Sequence, residues 1–355
     1  MKTILKDRRA ARALAFAAAL LAPLPLPAAE HAAGVRTMTV MSGERGTGLE
    51  VTVWYPATDA GTPVTLGENI FFEGTPARAD APVAEGRFPL ILLSHGAGLS
   101  GRAEAMSWIA APLAEAGFLV AAPTHPFNTG PERSAEETMK LWLRPADLSA
   151  TLDAVSSDDQ FSEHLAPYGT GVLGMSMGGN SALLLAGAQL DPALWAGYCD
   201  TMELNPSLCG WVRMSGVDLH AMDSAPMGRD RGDARVRFAM AIDPAMSDVI
   251  APDSLIGIDI PVELVNLGPE DELPATVRAD WIAEALPEAG YRVVTDASHD
   301  SMFGLCKPGA AEIALEEGIE DPICGDGGSA RSRAEIHAEL VGLVTEAFGA
   351  ALRSE

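Results

Sequence analysis

Lysine almost vanishes from this sequence after its first residues: beyond Lys6 only Lys140 and Lys307 remain. Acidic side chains outnumber basic ones 49 to 24, for a net charge of −25. A surface that negative argues against nucleic acid and anionic membranes as partners. No stretch past the N-terminal segment reaches about 18 consecutive apolar residues, so no membrane-spanning helix is expected there. No Cys-x-x-Cys pair and no His/Cys cluster at zinc spacing occurs, so no metal site is expected. Aromatic residues make up only 6% of the chain. Cysteine is limited to Cys199, Cys209, Cys306 and Cys324.

The first residues are a separate unit. Lys2, Lys6, Arg8, Arg9 and Arg12 precede a short apolar core from Ala13 to Ala22, and Ala28-Ala29 offers a small-residue cleavage site. That layout predicts a secretory signal peptide over 1–29, too short in its apolar part to span a bilayer stably. Its removal takes away five basic residues and one acidic one and moves the net charge to −29. An exported protein with an even number of cysteines is expected to form disulfides. The local pairing Cys199–Cys209 with Cys306–Cys324 is preferred among three connectivities. Each loop closure is worth about 3 kcal/mol in the chain-entropy account.

Residues 30–355 alternate buried strands with helices, which predicts one α/β domain with a mostly parallel sheet. Val35–Met41 and Leu49–Tyr55 are expected to form a hairpin. Residues 56–87, rich in Pro, Gly and Ala, show no period. Pro89–Leu93 and Phe118–Ala122 are continuous apolar runs, as strands buried on both faces require. Further strands are expected at Val236–Ile242, Pro261–Leu267 and Tyr291–Thr295. Helices are expected at 104–116, from Leu143, at Thr276–Leu286 and at Ala334–Leu352. Two irregular stretches, 191–235 and 305–331, hold the cysteine pairs and are expected to be cap or lid insertions.

The stretch that organises these elements is Val172-Leu173-Gly174-Met175-Ser176-Met177-Gly178-Gly179. It reads Gly-x-Ser-x-Gly between a predicted strand and a predicted helix, with Ser176 at the apex of the turn. A serine hydroxyl is a poor nucleophile at neutral pH. It needs a base within hydrogen-bond reach, and that base needs an acceptor on its other nitrogen. His299, in the loop after the last predicted strand, is the candidate base. His31, His164, His220 and His337 lie in less suitable places. Asp271, past Gly268, is the preferred acid and gives the order Ser-acid-His. Asp243, at the end of the preceding strand, is the alternative. The amides of Met177, at the helix start, and Ala97, in the turn His95-Gly96-Ala97, are the candidate oxyanion donors. His95 is expected to be structural. Met175, Met177, Met302 and Phe303 are candidate pocket walls.

Several segments together resemble a known group. Leu92-Leu93-Ser94-His95-Gly96, Arg144-Pro145-Ala146-Asp147, the Ser176 motif, Ala297-Ser298-His299 and Ile323-Cys324-Gly325-Asp326 are similar to bacterial dienelactone-hydrolase-like proteins. These are relatives of the platelet-activating-factor acetylhydrolases and polyester hydrolases within the α/β-hydrolase superfamily. The resemblance implies an α/β-hydrolase fold and a cofactor-free Ser-His-Asp esterase. The acetylhydrolase branch places its acid where Asp243 stands, and the dienelactone-like branch where Asp271 stands. Dienelactone hydrolases proper carry a cysteine nucleophile where this chain has Ser176. The expectation is an exported serine hydrolase for small-molecule or lipid-like carboxylic esters. Its rivals are an amidase or peptidase using the same residues and a catalytically silent binding protein.

Overall fold

The computed structural model describes residues 31–353 apart from Pro287, Glu320 and Ser329. The predicted leader, 1–29, lies outside the described residues. Among the described residues ten strands form one sheet in the order β10-β9-β8-β7-β5-β6-β2-β1-β4-β3. They are β1 Ala32–Ser42, β2 Thr47–Ala57, β3 Thr62–Leu66, β4 Thr75–Ala79, β5 Phe88–Ser94, β6 Leu119–Thr124, β7 Leu165–Met175, β8 Ala239–Ile242, β9 Val262–Leu267 and β10 Gly290–Val294. From β6 to β10 across the sheet every pairing is parallel, whereas β2 joins β6 antiparallel. The expected hairpin is present, with β1 and β2 paired along their whole length.

The helices are α1 Ser107–Glu115, α2 Ala135–Met139, α3 Leu143–Ser157, α4 Met177–Leu185, α5 Pro192–Ala196, α6 Pro206–Met214, α7 Asp280–Ala285, α8 Ala310–Glu316 and α9 Arg333–Leu352. β5 shows how the two layers are built. Leu90 and Leu92 join one core with Leu148 and Leu152 of α3 and Leu183 and Leu184 of α4. Ile91 and Leu93 join the opposite core with Ile109 and Leu113 of α1 and Leu340, Val344 and Phe348 of α9. Successive strand residues point to opposite faces, so a run buried throughout must be covered on both. Each large apolar side chain so buried contributes roughly 1.5–3 kcal/mol. α4 is buried along its whole length, and its polar side chains are bonded inside: Asn180 Nδ2 donates to the Met246 carbonyl and Ser181 Oγ to the Met177 carbonyl, each at 3.0 Å.

Residues 56–87 differ from expectation, since β3 and β4 lie within them as a hairpin on the sheet edge. Their sequences, Thr62-Pro63-Val64-Thr65-Leu66 and Thr75-Pro76-Ala77-Arg78-Ala79, each hold a proline, and β3 has no fully buried residue. Edge strands tolerate proline and need no apolar face, so no hydrophobic pattern announces them.

Both disulfides follow the local pairing, Cys199–Cys209 and Cys306–Cys324. The stretch 191–235 carries α5 and α6. It is anchored by Trp195, whose ring meets Trp142 edge-on and whose Nε1 donates to the Met139 carbonyl at 3.0 Å. Among the described residues no helix is long and apolar enough to cross a membrane.

Four buried titratable groups near the centre give the fold a pH signature. Burial, reinforced by neighbouring cationic charge, holds His95 and His125 well below the ordinary imidazole range. Burial likewise takes His337 to about 4. An unfolded chain protonates these histidines below about pH 6.5. Their depressed folded values therefore mean stability that is complete above that pH and lost as pH falls. Asp147 works the other way: burial raises it to about 6 against the pull of Arg45. Its folded form takes the proton first and gains stability between pH 6 and 4. Within this set the three histidines outnumber the one carboxylate, so the four groups together take up protons on unfolding near pH 5; burial also raises Glu115, Asp248 and Asp300, which oppose them in part. The melting temperature is expected to fall steadily from pH 6 to pH 4.5. A flat profile by differential scanning calorimetry would contradict the burial of these groups.

Candidate active site

Ser176 sits between β7 and α4 with φ 54° and ψ −126°, outside the comfortable region for a residue with a side chain. Two glycines make so sharp a turn possible. A Cβ on Gly174 would lie 1.9 Å from the Gly178 carbonyl oxygen, and one on Gly178 would lie 1.9 Å from the Ser94 carbonyl oxygen. Hydrogen bonds from the Ser176 amide to the Ile242 carbonyl (3.0 Å) and from the Ala245 amide to the Ser176 carbonyl (2.9 Å) hold the turn against the β8 loop.

The serine Oγ lies 3.0 Å from His299 Nε2, and His299 Nδ1 lies 3.0 Å from Asp243 Oδ2. Ser176, Asp243 and His299 follow β7, β8 and β10, so they meet at the carboxyl ends of the parallel strands. The other carboxylate oxygen of Asp243 accepts from the Leu267 amide and from Asn266 Nδ2, each at 2.8 Å. Asp243 is fully buried and has φ 44°. This arrangement corrects the preference for Asp271. That residue is exposed on the turn beyond Gly268, and its side chain is not bonded to His299. The reason lies in β9: its last residues, Asn266 and Leu267, supply the donors that seat a carboxylate arriving from the neighbouring β8. Ser176, Asp243 and His299 still run in the order serine, acid, histidine.

Burial opposes a charge on His299, but the bond and negative charge of Asp243, helped by Asp300 and Asp321, outweigh it and raise the imidazole above its ordinary value. The short helical turn carrying His299 is held from several sides. Trp108 Nε1 donates to the Met302 carbonyl at 2.9 Å, and His337 Nε2 donates to the Ser301 carbonyl at 2.8 Å. The Trp108 and His337 rings stack at 3.8 Å. Ser301 Oγ donates to Asp326 (2.8 Å), which Arg333 also grips at 2.9 Å while donating to the Ile323 and Gly325 carbonyls. The Ile323–Asp326 segment is thus a clamp on the histidine loop.

A cavity of about 60 Å³ opens beside the serine, walled by Gly96, Ala97, Ser100, Met106, Met175, Met302 and Phe303 together with Ser176 and His299. Three of the four expected wall residues line it, whereas Met177 turns into the core. Among the described residues no lining residue comes from 191–235 or 305–331. The second stretch acts indirectly: Phe72, which bridges to Cys306, stacks on Phe303 at 5.5 Å. Among the described residues the Ala97 and Met177 amides donate to no protein acceptor. Met177 opens α4, where the first amides have no partner within the helix. Among the described residues there is no group of three or more His, Cys, Asp or Glu side chains placed to hold a metal.

Asn266 escaped the sequence reading. Its Nδ2 also donates to the Val277 carbonyl, and its Oδ1 accepts from the Ala279 amide and the Tyr291 hydroxyl. A lone amide inside the apolar run Val262–Leu267 was the available signal, because a buried polar side chain must find partners.

No protein-family model matches the chain, and no curated protein does. Solved structures do. A ferulic acid esterase from Streptomyces cinnamoneus superposes with a TM-score of 0.61 at 20% identity over 93% of each chain. An esterase, rPPE, gives 0.49 at 14% identity over 91% of this chain and 85% of its own. A putative dienelactone hydrolase from Klebsiella pneumoniae gives 0.42 at 14% identity over 80% of this chain and 97% of its own. The chain has the α/β-hydrolase fold.

Proposed function

We propose that this chain is a serine hydrolase acting on carboxylic esters through an acyl-enzyme. The observation that carries the proposal is the continuous hydrogen-bonded array Ser176–His299–Asp243 at the mouth of a small cavity. His299 Nε2 takes the proton as Ser176 Oγ attacks the ester carbonyl. The carbonyl π electrons move to oxygen, where the Met177 and Ala97 amides receive the developing charge. Collapse of the tetrahedral adduct breaks the bond to the leaving alkoxide, which takes the proton from His299. Water then repeats the sequence on the acyl-enzyme, releasing the acid and restoring the serine. Asp243 holds the imidazole with Nδ1–H towards itself, leaving Nε2 free to accept.

The cavity is far below the 300–1,000 Å³ typical of drug-sized ligand sites. It suits a small acyl group beside the serine. On p-nitrophenyl esters, kcat/KM is expected to fall at least about tenfold from acetyl to octanoyl, since a chain that cannot enter the wall forfeits its alignment. Equal rates for both chains would contradict a closed wall at Met106, Met302 and Phe303. Export is part of the same proposal. It rests on the leader pattern in 1–29 and is consistent with the pairing of all four cysteines.

A further inference from the structure

The Ala97 amide belongs to the peptide unit that begins with the Gly96 carbonyl, and a trans peptide is flat, so fixing the carbonyl aims the N–H in the opposite direction. The Gly96 carbonyl is held from behind. His95 Nδ1 donates to it at 2.7 Å, and Arg144 Nη2 approaches it at 3.4 Å while donating closely to the His95 carbonyl. His95 has no freedom of tautomer: its Nε2 accepts the His125 amide at 3.0 Å, so Nδ1 carries the proton. Arg144 is equally fixed. Its Nε donates to Ser181 Oγ on α4 at 3.0 Å and its Nη1 to Asn128 Oδ1 at 2.9 Å. Both side chains are buried, with Arg144 only 1% exposed.

Neither side chain is among those lining the cavity. Two buried donors converge on the backbone of a turn whose opposite edge faces Ser176. Gly96 is close enough to the serine that an added Cβ would lie 3.3 Å from Ser176 Cβ and 2.5 Å from Ser100 Oγ. We infer that His95 and Arg144 are positioning residues for the oxyanion site: they grip the Gly96 carbonyl so that the Ala97 N–H is aimed at the reacting oxygen. Donation to that carbonyl also polarises the shared peptide, which makes its N–H a stronger donor. The inference rests on the reading of the Ala97 amide as an oxyanion donor in ester hydrolysis.

The test uses two replacements at one position. His95→Asn places an amide nitrogen near the old Nδ1 and keeps the donor to Gly96. His95→Gln instead keeps an acceptor near the old Nε2 for the His125 amide and loses the donor to Gly96. Competent sites are counted by end-point labelling with a fluorophosphonate, and rates on p-nitrophenyl acetate are expressed per labelled site. His95→Gln is expected to lower kcat by about 10- to 100-fold at little-changed KM, a part of what loss of a whole oxyanion donor costs. It is also expected to weaken inhibition by a trifluoromethyl ketone, whose adduct carries the oxyanion, by a similar factor. His95→Asn should stay within about threefold of the parent on both readouts, because its donor remains. Arg144→Lys, which keeps the charge but has one nitrogen in place of the three that reach Ser181, Asn128 and the His95–Gly96 carbonyls, should shift kcat and inhibition in the direction of His95→Gln. Unchanged kcat per labelled site in His95→Gln, or equal damage in His95→Asn and His95→Gln, would overturn the inference and leave these side chains as bracing only. Absence of ester hydrolysis in the parent enzyme would instead defeat the proposed function.

Discussion

Asp243→Asn is expected to lower kcat/KM on p-nitrophenyl acetate by about a thousandfold or more, while Asp271→Asn leaves it within about twofold. The size of the first effect follows from how completely Asp243 is engaged. One oxygen faces His299 Nδ1 and the other accepts from two donors, the Leu267 amide and Asn266 Nδ2. An asparagine can occupy this site in two ways. With its nitrogen towards His299, two donors oppose each other unless the imidazole moves its proton to Nε2, where it no longer accepts from Ser176. With its nitrogen towards Leu267 and Asn266, three N–H groups collide in a fully buried pocket, which costs on the order of 1–3 kcal/mol for each unsatisfied group. Either arrangement also removes the negative charge that stabilises an imidazolium. Asp271 has an exposed carboxylate outside this network, so its loss touches no reacting group. Kinetic constants for the two variants, with circular dichroism to verify folding, decide the matter. Equal losses at both positions would reject the geometry described.

Ser176→Ala should reduce turnover of the same ester at least about a thousandfold, with a melting temperature close to that of the parent. The serine hydroxyl bonds to His299 and to no other protein group among the described residues, so alanine removes the attacking atom without orphaning a buried donor. The backbone strain at φ 54° persists, because alanine also has a Cβ, and the turn is held by its own amide and carbonyl. A folded Ser176→Ala protein retaining more than about a tenth of parental kcat/KM would show that another group performs the attack.

The legible parts of this chain were those where one physical demand dominates. Burial on both faces wrote β5 and β6 as unbroken apolar runs. The steric demand of the turn wrote Gly174 and Gly178 around Ser176. Residues that act through distant partners were harder to see. Asp243 and Asp271 each follow a strand, and local sequence offers no way to rank them. What separates them is a pair of donors, Asn266 and Leu267, 23 and 24 positions away in the chain. The edge hairpin of β3 and β4 left no hydrophobic trace because it buries little. Among the described residues neither of the irregular cysteine-bearing stretches contributes a wall to the cavity. The second instead buttresses the wall through Phe72, Phe303 and the Arg333–Asp326 pair.

Covalent labelling tests directly whether Ser176 is the nucleophile. The chain is incubated with a fluorophosphonate, digested, and the modified peptide identified by mass spectrometry, with His299→Ala treated in parallel. The expected result is a single phosphonylated residue, Ser176, appearing in step with loss of ester hydrolysis, and labelling slowed at least about a hundredfold in His299→Ala. A modified residue elsewhere, or an unmodified Ser176 in a protein that still hydrolyses esters, would contradict it.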